Sequence, residues 1–422
     1  MSFNFAYLSG GRLYLKLGQA NVQTIISEFG QAVQQREFQT QQRNGWKQKS
    51  MTANLMSGGM SADGDRHRAA RGESSSSSGV SVAVQGVCPT SADRLLYTLE
   101  AGEVGGIFTL ERFAGTIDVL GKATPLDTRP RTREKRLFHS ADFKVDRVDF
   151  HPEYQLIACA AIAKDGSANI ATMPVNSVHL VQATEGDSLD LAPKWIPGFR
   201  KAIVFQSAGI SRDESGCIIE QKHSTIEQLD LDRQEVVTLA SDPKYDLLSP
   251  QMTADGTLYY IRRPYVPLRQ RARFSQVLKD TLLIPARLVT AVFEWLNFFT
   301  RRHTGKSLLA ISQPRRGRAQ QMQLLGRWVD TAAQIERNRR FGDADSPAIV
   351  PRSWELVEQF PHREPKVLDR GVLAFDIGAD GQIVYSNGSA IYGIVPGGVA
   401  QRLVVDNSIE QVVILDLDNH LN

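Results

Sequence analysis

The chain has 422 residues, a formal net charge of +3 at pH 7, 42% hydrophobic and 23% charged residues. That is enough apolar material for a true core and excludes a globally disordered chain, while 33 Gly and 18 Pro exclude collagen-like and Pro-rich fibrous classes. Three cysteines, Cys88, Cys159 and Cys217, are too few for a disulfide scaffold and lack zinc-ligand spacing, so they imply no metal.

Met1 to Leu17 alternates polar and apolar residues and has no continuous apolar run behind a basic start. It therefore reads as strand and not as a cleavable leader. Together with free thiols this sets the expectation of a reducing, cytoplasmic compartment, with any membrane contact peripheral and on the inner face. Asn4 to Leu8, Arg12 to Lys16 and Val22 to Ile26 supply three strands, and the Gln-rich stretch Ser27 to Gln42 predicts a short polar helix. Residues 47–79 end in Gly72-Glu-Ser-Ser-Ser-Ser-Ser-Gly79, lack periodicity and read as a disordered loop.

Beyond that loop, short β-type runs recur with turn signals between them. Val80 to Val87, Arg94 to Leu99, Gly106 to Leu110 and Thr116 to Leu120 form one group. Val145 to Phe150, Gln155 to Ile162, Asn169 to Met173 and Val178 to Gln182 form the next. Leu191 to Gly198, Lys201 to Gln206, Ser224 to Leu231 and Glu235 to Leu239 follow. A fifth group starts at Leu248 to Gly256 and Thr257 to Ile261, with Lys306 to Ile311 and Trp354 to Glu358 as its third and fourth strands. The clearest group is Val372 to Ile377, Gln382 to Ser386, Ala390 to Val395 and Gln401 to Val405. Four short strands recurring about every 40–50 residues are the pattern of propeller blades. The first three strands lack an innermost partner, and Gln411 to Leu415 at the other end supplies it. Pairing the termini in one blade removes a sheet edge. The fold class expected is all-β: a single six-bladed β-propeller over 1–422 with a helical insertion in the fifth blade, five or seven blades being the alternatives left open by the loosely defined stretch after Gly121.

Ser249-Pro250 through Asp255-Gly256, and Pro193 through Gly198, resemble the S-P-x-W-S-P-D-G strand-turn of TolB-like, WD40-like propellers. Diluted forms occur at Phe150-His151-Pro152 and Ala379-Asp380-Gly381. The resemblance covers about two thirds of the chain as a repeat and implies a fold, not an activity. It is shared by the propeller domains of prolyl-oligopeptidase-type enzymes. TolB is periplasmic; this chain shows no export signal, so that cellular role is not transferred.

Charge is distributed unevenly. Arg262 to Arg327 holds fourteen Lys/Arg against two acids, a local charge of +12 that leaves −9 on the rest. Within this insertion, 262–350, the polar residues Arg287, Thr290, Glu294, Asn297 and Arg301 recur in steps of three and four, which predicts a helix over 282–301. Its other face carries Leu288, Val292, Phe293, Trp295, Leu296, Phe298 and Phe299. So apolar a face needs a partner. Three are open: the propeller or a second helix in Gln320 to Arg340, an anionic membrane surface, or a protein subunit. Arg262, Arg263, Arg269, Arg271 and Arg273 flank it on one side. Arg301, Arg302, Arg315, Arg316 and Arg318 flank it on the other. A basic patch beside an amphipathic helix makes a two-signal membrane anchor. Nucleic acid is the weaker reading, because no nucleic-acid-binding motif accompanies the arginines.

No GxSxG, P-loop, GxGxxG or HExxH spacing occurs, and the histidines are scattered singly. No catalytic residue, metal ligand set or cofactor is assigned. Asp146, Asp190, Asp246 and Asp376, with Asp149, lie on or near the first strands of their blades, where they could line a central channel, and Arg147 and Lys194 could pair with them. The leading expectation is a non-enzymatic scaffold for protein–protein interaction that docks through the fifth-blade insertion. The alternative is a hydrolase or a small-ligand or metal binder using the channel acids.

Overall fold

The computed structural model describes residues 3–36, 38–40, 81–91, 93–102, 104–111, 133–198, 201–267 and 321–415. Strands β1 (Phe5–Ser9), β2 (Arg12–Lys16) and β3 (Gln23–Ile25) open the chain. The predicted polar helix follows as α1, 28–36. The second sheet is β4 (Val82–Ser91), β5 (Arg94–Ala101), β6 (Val104–Glu111) and β7 (Arg133–Ser140). The third is β8 (Phe143–His151), β9 (Leu156–Ala163), β10 (Ala168–Pro174) and β11 (Val181–Gln182). In the fourth, β12 (Leu191–Trp195) and β13 (Ala202–Ser207) are followed by a hairpin, β14 (Ile210–Arg212) and β15 (Ile218–Gln221), before β16 (Thr225–Asp230) and β17 (Glu235–Ala240). In the fifth, β18 (Tyr245–Met252) and β19 (Leu258–Pro264) precede the insertion. Its described part is a hairpin, β20 (Gln321–Leu324) and β21 (Arg327–Asp330), then helix α2 (Thr331–Asn338). The sheet resumes with β22 (Glu355–Gln359) and β23 (Lys366–Arg370). The sixth is β24 (Ala374–Ile377), β25 (Ile383–Ser386), β26 (Ala390–Ile394) and β27 (Gln401–Val405), and β28 (Ile409–Ile414) ends the described chain.

These strands form six antiparallel four-stranded sheets, and β28 joins β1, β2 and β3 as the innermost strand of the first. Phe5 lies opposite Ile414 and Leu8 opposite Gln411. The innermost strands touch in the ring order β28, β4, β8, β12, β18, β24 and back to β28. The molecule is thus a six-bladed β-propeller closed by its own two ends.

Position within a blade explains each strand's composition. Second strands are covered by neighbouring blades on both faces and read as continuous apolar runs, as in Leu-Ile-Ala-Cys-Ala-Ala-Ile-Ala of β9. Outermost strands are exposed, and β17 shows Val236 and Val237 to solvent. Blade backbones approach closely between the second and third sheets. A Cβ added at Gly86 would lie 2.8 Å from Arg147 Cα and 3.0 Å from its N. Helix α1 is pinned to the second blade by Glu134, which accepts from Ser27 Oγ, the Phe29 N–H and Tyr97 Oη. Helix α2 starts at an Asp330 N-cap that accepts from the Ala333 N–H at 3.0 Å.

Three sequence expectations are corrected by the pairing. Trp354 to Glu358 gives the third strand of the fifth blade, not the fourth; Lys366–Arg370 is the fourth. The fourth strand of the second blade is Arg133–Ser140 in place of Thr116 to Leu120. Gln320 to Arg340 is a hairpin followed by a helix, because Leu325-Gly326, both at positive φ, form a tight turn. Thr116 to Leu120, Lys306 to Ile311, the loop 47–79 and the helix 282–301 lie outside the described residues.

Gly86→Ala should lower stability by about 1–3 kcal/mol, because the new methyl meets backbone and not a flexible side-chain end. Urea unfolding followed by tryptophan fluorescence measures it.

Candidate functional site

Each innermost strand except β24 has a register break where it meets its second strand. Arg147 on β8, Ala192 on β12 and Ser249 on β18 sit at these breaks with φ of 46°, 52° and 50°. Ala192 and Ser249 precede Pro193 and Pro250, so the S-P element of the sequence is a β-bulge in an inner strand. A bulge re-aims the side chains after it, and two residues on stand Asp149, Lys194 and Gln251.

These three side chains, with a few companions, stitch neighbouring blades. Asp149 Oδ2 accepts from the Trp195 N–H at 2.7 Å, joining blades three and four. Its Oδ1 accepts from Cys88 Sγ at 3.4 Å, joining blades two and three. Gln251 donates to the Phe375 carbonyl and accepts from the Ile377 N–H, both at 3.2 Å, joining blades five and six. Gln206 Oε1 accepts from the Ser249 N–H at 2.7 Å across blades four and five. Asp376 Oδ2 accepts from the Ile414 N–H at 2.8 Å across blades six and one. Gln411 accepts from the Val87 N–H and donates to its carbonyl across blades one and two. All six junctions are covered.

Lys194 adds a contact that is not between neighbours. Its Nζ lies 3.2 Å from Asp149 Oδ1 and 3.3 Å from Asp376 Oδ1. It stands on the fourth blade and reaches the sixth, so it crosses the central channel. The lysine is 26% exposed and the two carboxylates about 10%. Burial alone would depress the ammonium, but Asp149 and Asp376 outweigh it and hold Lys194 above its ordinary range.

The predicted channel acids separate. Asp376 joins the Lys194 cluster, near the strand ends of β8, β12 and β24. Asp246 and Asp190 lie at the other end of the ring. Asp246 is 1% exposed, its Oδ2 takes Arg263 Nε at 2.9 Å and Arg327 Nη2 at 3.3 Å, and Arg263 stacks over the Trp354 ring. Asp190 accepts from Thr184 Oγ1 and Ser207 Oγ at 2.6 and 2.7 Å, and burial raises its carboxyl. Asp146 is buried on β8 opposite Ala160. Of the basic patch, only Arg262 and Arg263 are described, and both work inside the fifth blade. Arg262 pairs with Glu355 at 2.7 Å and Arg263 is 3% exposed, so its charge serves Asp246 and not an external anion. The other patch arginines and the apolar docking residues Leu288 to Phe299 fall in 268–320, outside the described residues.

Among the described residues no group of three or more His, Cys, Asp or Glu is placed to hold a metal ion. No described helix is long and apolar enough to cross a membrane. Asp149, Asp190, Asp246 and Asp376 are met by the chain's own cations, hydroxyls and backbone.

No family model and no curated protein matches the sequence. Solved structures similar to the chain include the nidogen/laminin complex, at 7% identity and TM-score 0.47 over 98% of both chains. TolB from Acinetobacter baumannii is similar at 9% identity and TM-score 0.47, over 98% of this chain and 66% of that one. A putative TolB from Agrobacterium tumefaciens follows at 10% identity and TM-score 0.38, over 78% and 84%. The chain is a six-bladed β-propeller that resembles TolB- and WD40-type propellers at the level of fold.

The cytoplasmic assignment does not stand. The solved structures similar in fold include two TolB proteins, and TolB is the periplasmic protein whose setting the sequence reading had set aside. The thiols behind the assignment are also poor reporters of compartment. Cys88 and Cys159 are fully buried, and burial pushes the Cys159 thiol up to about 12 and Cys88 well above its usual range.

Two outcomes follow from this geometry. At pH 8 a maleimide should label Cys217 alone in the folded chain, with Cys88 and Cys159 reacting only on unfolding, as read by peptide mass spectrometry. Lys194→Met should cost about 2–4 kcal/mol by leaving two buried carboxylates without their cation. The sign of its pH dependence is set by the raised Lys194. Its contribution is complete below the unfolded lysine value of 10.5 and fades as pH rises through the higher folded one. Wild type and Lys194→Met should therefore differ in melting temperature at pH 7 and converge in strong alkali.

Proposed function

We propose that this chain is a non-enzymatic interaction scaffold, in which the propeller is a rigid platform and the fifth-blade insertion is its docking element for a protein partner. The observation that carries the reading is the state of the channel acids. Asp149, Asp376, Asp246 and Asp190 are each engaged by groups of the chain itself, and among the described residues no group of three or more His, Cys, Asp or Glu converges for a metal. The strongest local charge lies elsewhere: 268–320 holds eleven Lys/Arg against two acids. The described chain on either side of that segment is tied together at the fifth blade, where Arg327 Nη2 donates to the Pro264 carbonyl at 2.8 Å.

A second reading shares the same segment. Leu288, Val292, Phe293, Trp295, Leu296, Phe298 and Phe299 with flanking arginines suit the headgroup region of an anionic membrane, where each basic residue contributes about 1 kcal/mol.

The test replaces 268–320 by a short Gly/Ser linker. The variant should keep the wild-type thermal transition, because no described blade contact is removed. A photo-crosslinker at Phe293 of the full chain should capture one defined protein in its native extract, and the linker variant should fail to compete for it. Pelleting of wild type with anionic vesicles, lost in the linker variant, would assign the docking to lipid instead. Titration with Ca2+, Mn2+ or Zn2+ should leave the melting temperature unchanged; a rise abolished by Asp376→Asn would overturn the scaffold reading in favour of a channel metal site.

A further inference from the structure

The second and third strands of the fifth blade are joined on the same face of the ring as the blade-to-blade connections, because the four strands alternate in direction. The described return of the insertion, 321–350, crosses that face. Its far half is fixed to the sixth blade. Asn338 Nδ2 donates to the Ala348 and Val350 carbonyls at 2.8 and 2.9 Å, bracing the segment on itself. Asn387 Nδ2 and Ser389 Oγ donate to the Ser346 and Pro347 carbonyls at 2.8 Å, and Arg402 Nη1 reaches Asp343 Oδ2 at 2.8 Å. Ile349 packs onto Gly388, where an added Cβ would lie 2.3 Å from Ile349 Cγ1.

The near half, the β20–β21 hairpin, is held differently. Its turn carbonyl at Leu325 accepts from Arg263 Nη1 at 2.8 Å. Its Arg327 reaches Asp246 and the Pro264 carbonyl. Met322 Sδ accepts from Ser408 Oγ at 3.5 Å. Asp246 opens the inner strand of the fifth blade, and Ser408 immediately precedes the inner strand of the first. The hairpin therefore spans one mouth of the central channel, from blade five to blade one, while Lys194 crosses the channel near the opposite end.

We propose that the β20–β21 hairpin is a releasable strap over this mouth, latched by the Asp246 carboxylate acting on Arg263 of the ring and Arg327 of the strap. The latch is a single carboxylate shared by two guanidinium groups, one on each moving part. Leu324 and Val329 seat the hairpin in the core between blades five and six, so the latch sets its position and the apolar pair its affinity. The hairpin moves ahead of α2, whose Asn338 is tied across Gly342 to the Ala348 and Val350 carbonyls and stays with the fixed half. Because the strap continues directly from 268–320, a load on that segment reaches the Met322–Ser408 contact and then the latch. The strap stands on its own contacts, whatever the insertion docks to.

Arg327→Met tests the latch. It removes the strap's cation and its hydrogen bonds, keeps much of its apolar stem, and leaves the Asp246–Arg263 pair within the ring. Hydrogen exchange should quicken by about tenfold in Gln321–Asp330, while 343–350 and blades one to four keep their protection. In the same background the thiol introduced by Ser408→Cys should react with maleimide about tenfold faster than with Arg327 present, since Met322 no longer covers it. Arg370→Met, which removes an exposed rim pair with Glu355, should change neither reading. Unchanged exchange in the hairpin and an unchanged thiol rate would overturn the proposal. So would loss of protection spreading through all blades, which would make the hairpin part of the ring's core and not a strap.

Discussion

Antiparallel pairing of Phe5–Ser9 with Ile409–Ile414 is the contact on which the rest of this molecule depends. Without it the first blade lacks an inner strand, the sixth lacks its neighbour, and the ring has two open sheet edges. With it, β24, β28 and β4 become successive inner strands, and the interblade hydrogen bonds of Asp376 and Gln411 acquire their acceptors and donors. The closing strand is thus also the means by which the channel is organised. Lys194 can bridge blades three and six only because closure fixes the distance across the ring.

The stitching side chains share a logic. Each is a carboxylate, a carboxamide or a lysine placed on or beside an inner strand, where the hydrogen-bonding edge of that strand would otherwise face the channel. Asp149 and Gln251, two residues past their bulges, satisfy backbone groups of the next blade and use up their own polarity in doing so. That is why, among the described residues, the channel aspartates do not converge as a metal-binding group. Of the acids that suggested chemistry in the sequence, Asp149 and Asp376 are structural bonds between blades, and Asp246 extends the principle to the insertion.

Much of this was legible in the residues. Recurrent short strands, the Ser249-Pro250 and Ala192-Pro193 elements, and the complementary ends gave the six blades and their closure, because local pattern and turn chemistry are written in neighbouring residues. The fifth blade was harder. Lys306 to Ile311 and Trp354 to Glu358 are equally strand-like locally, and only pairing of Tyr260 with Val357 identifies the latter as third strand. In the second blade the interruption after Glu111 likewise hid Arg133–Ser140. For the site, Asp149, Asp376 and Lys194 were separately visible as candidates, but Gln206, Gln251, Gln411 and Cys88 were not. Their position two residues past a bulge could have flagged Gln251; nothing local marks the other three.

What the sequence by itself determined was the set of elements: strand after strand of apolar alternation, a polar helix after the third strand, and a basic, aromatic segment interrupting the fifth blade. Those depend on residues within a few positions of one another. What only the tertiary structure decided was which charge meets which. Lys194 lies 182 positions from Asp376, and Arg327 lies 81 positions from Asp246. Such partners are selected by the geometry of a closed ring, in which burial makes an unpaired charge costly and so leaves each channel acid with the nearest cation or N–H that the fold can bring to it.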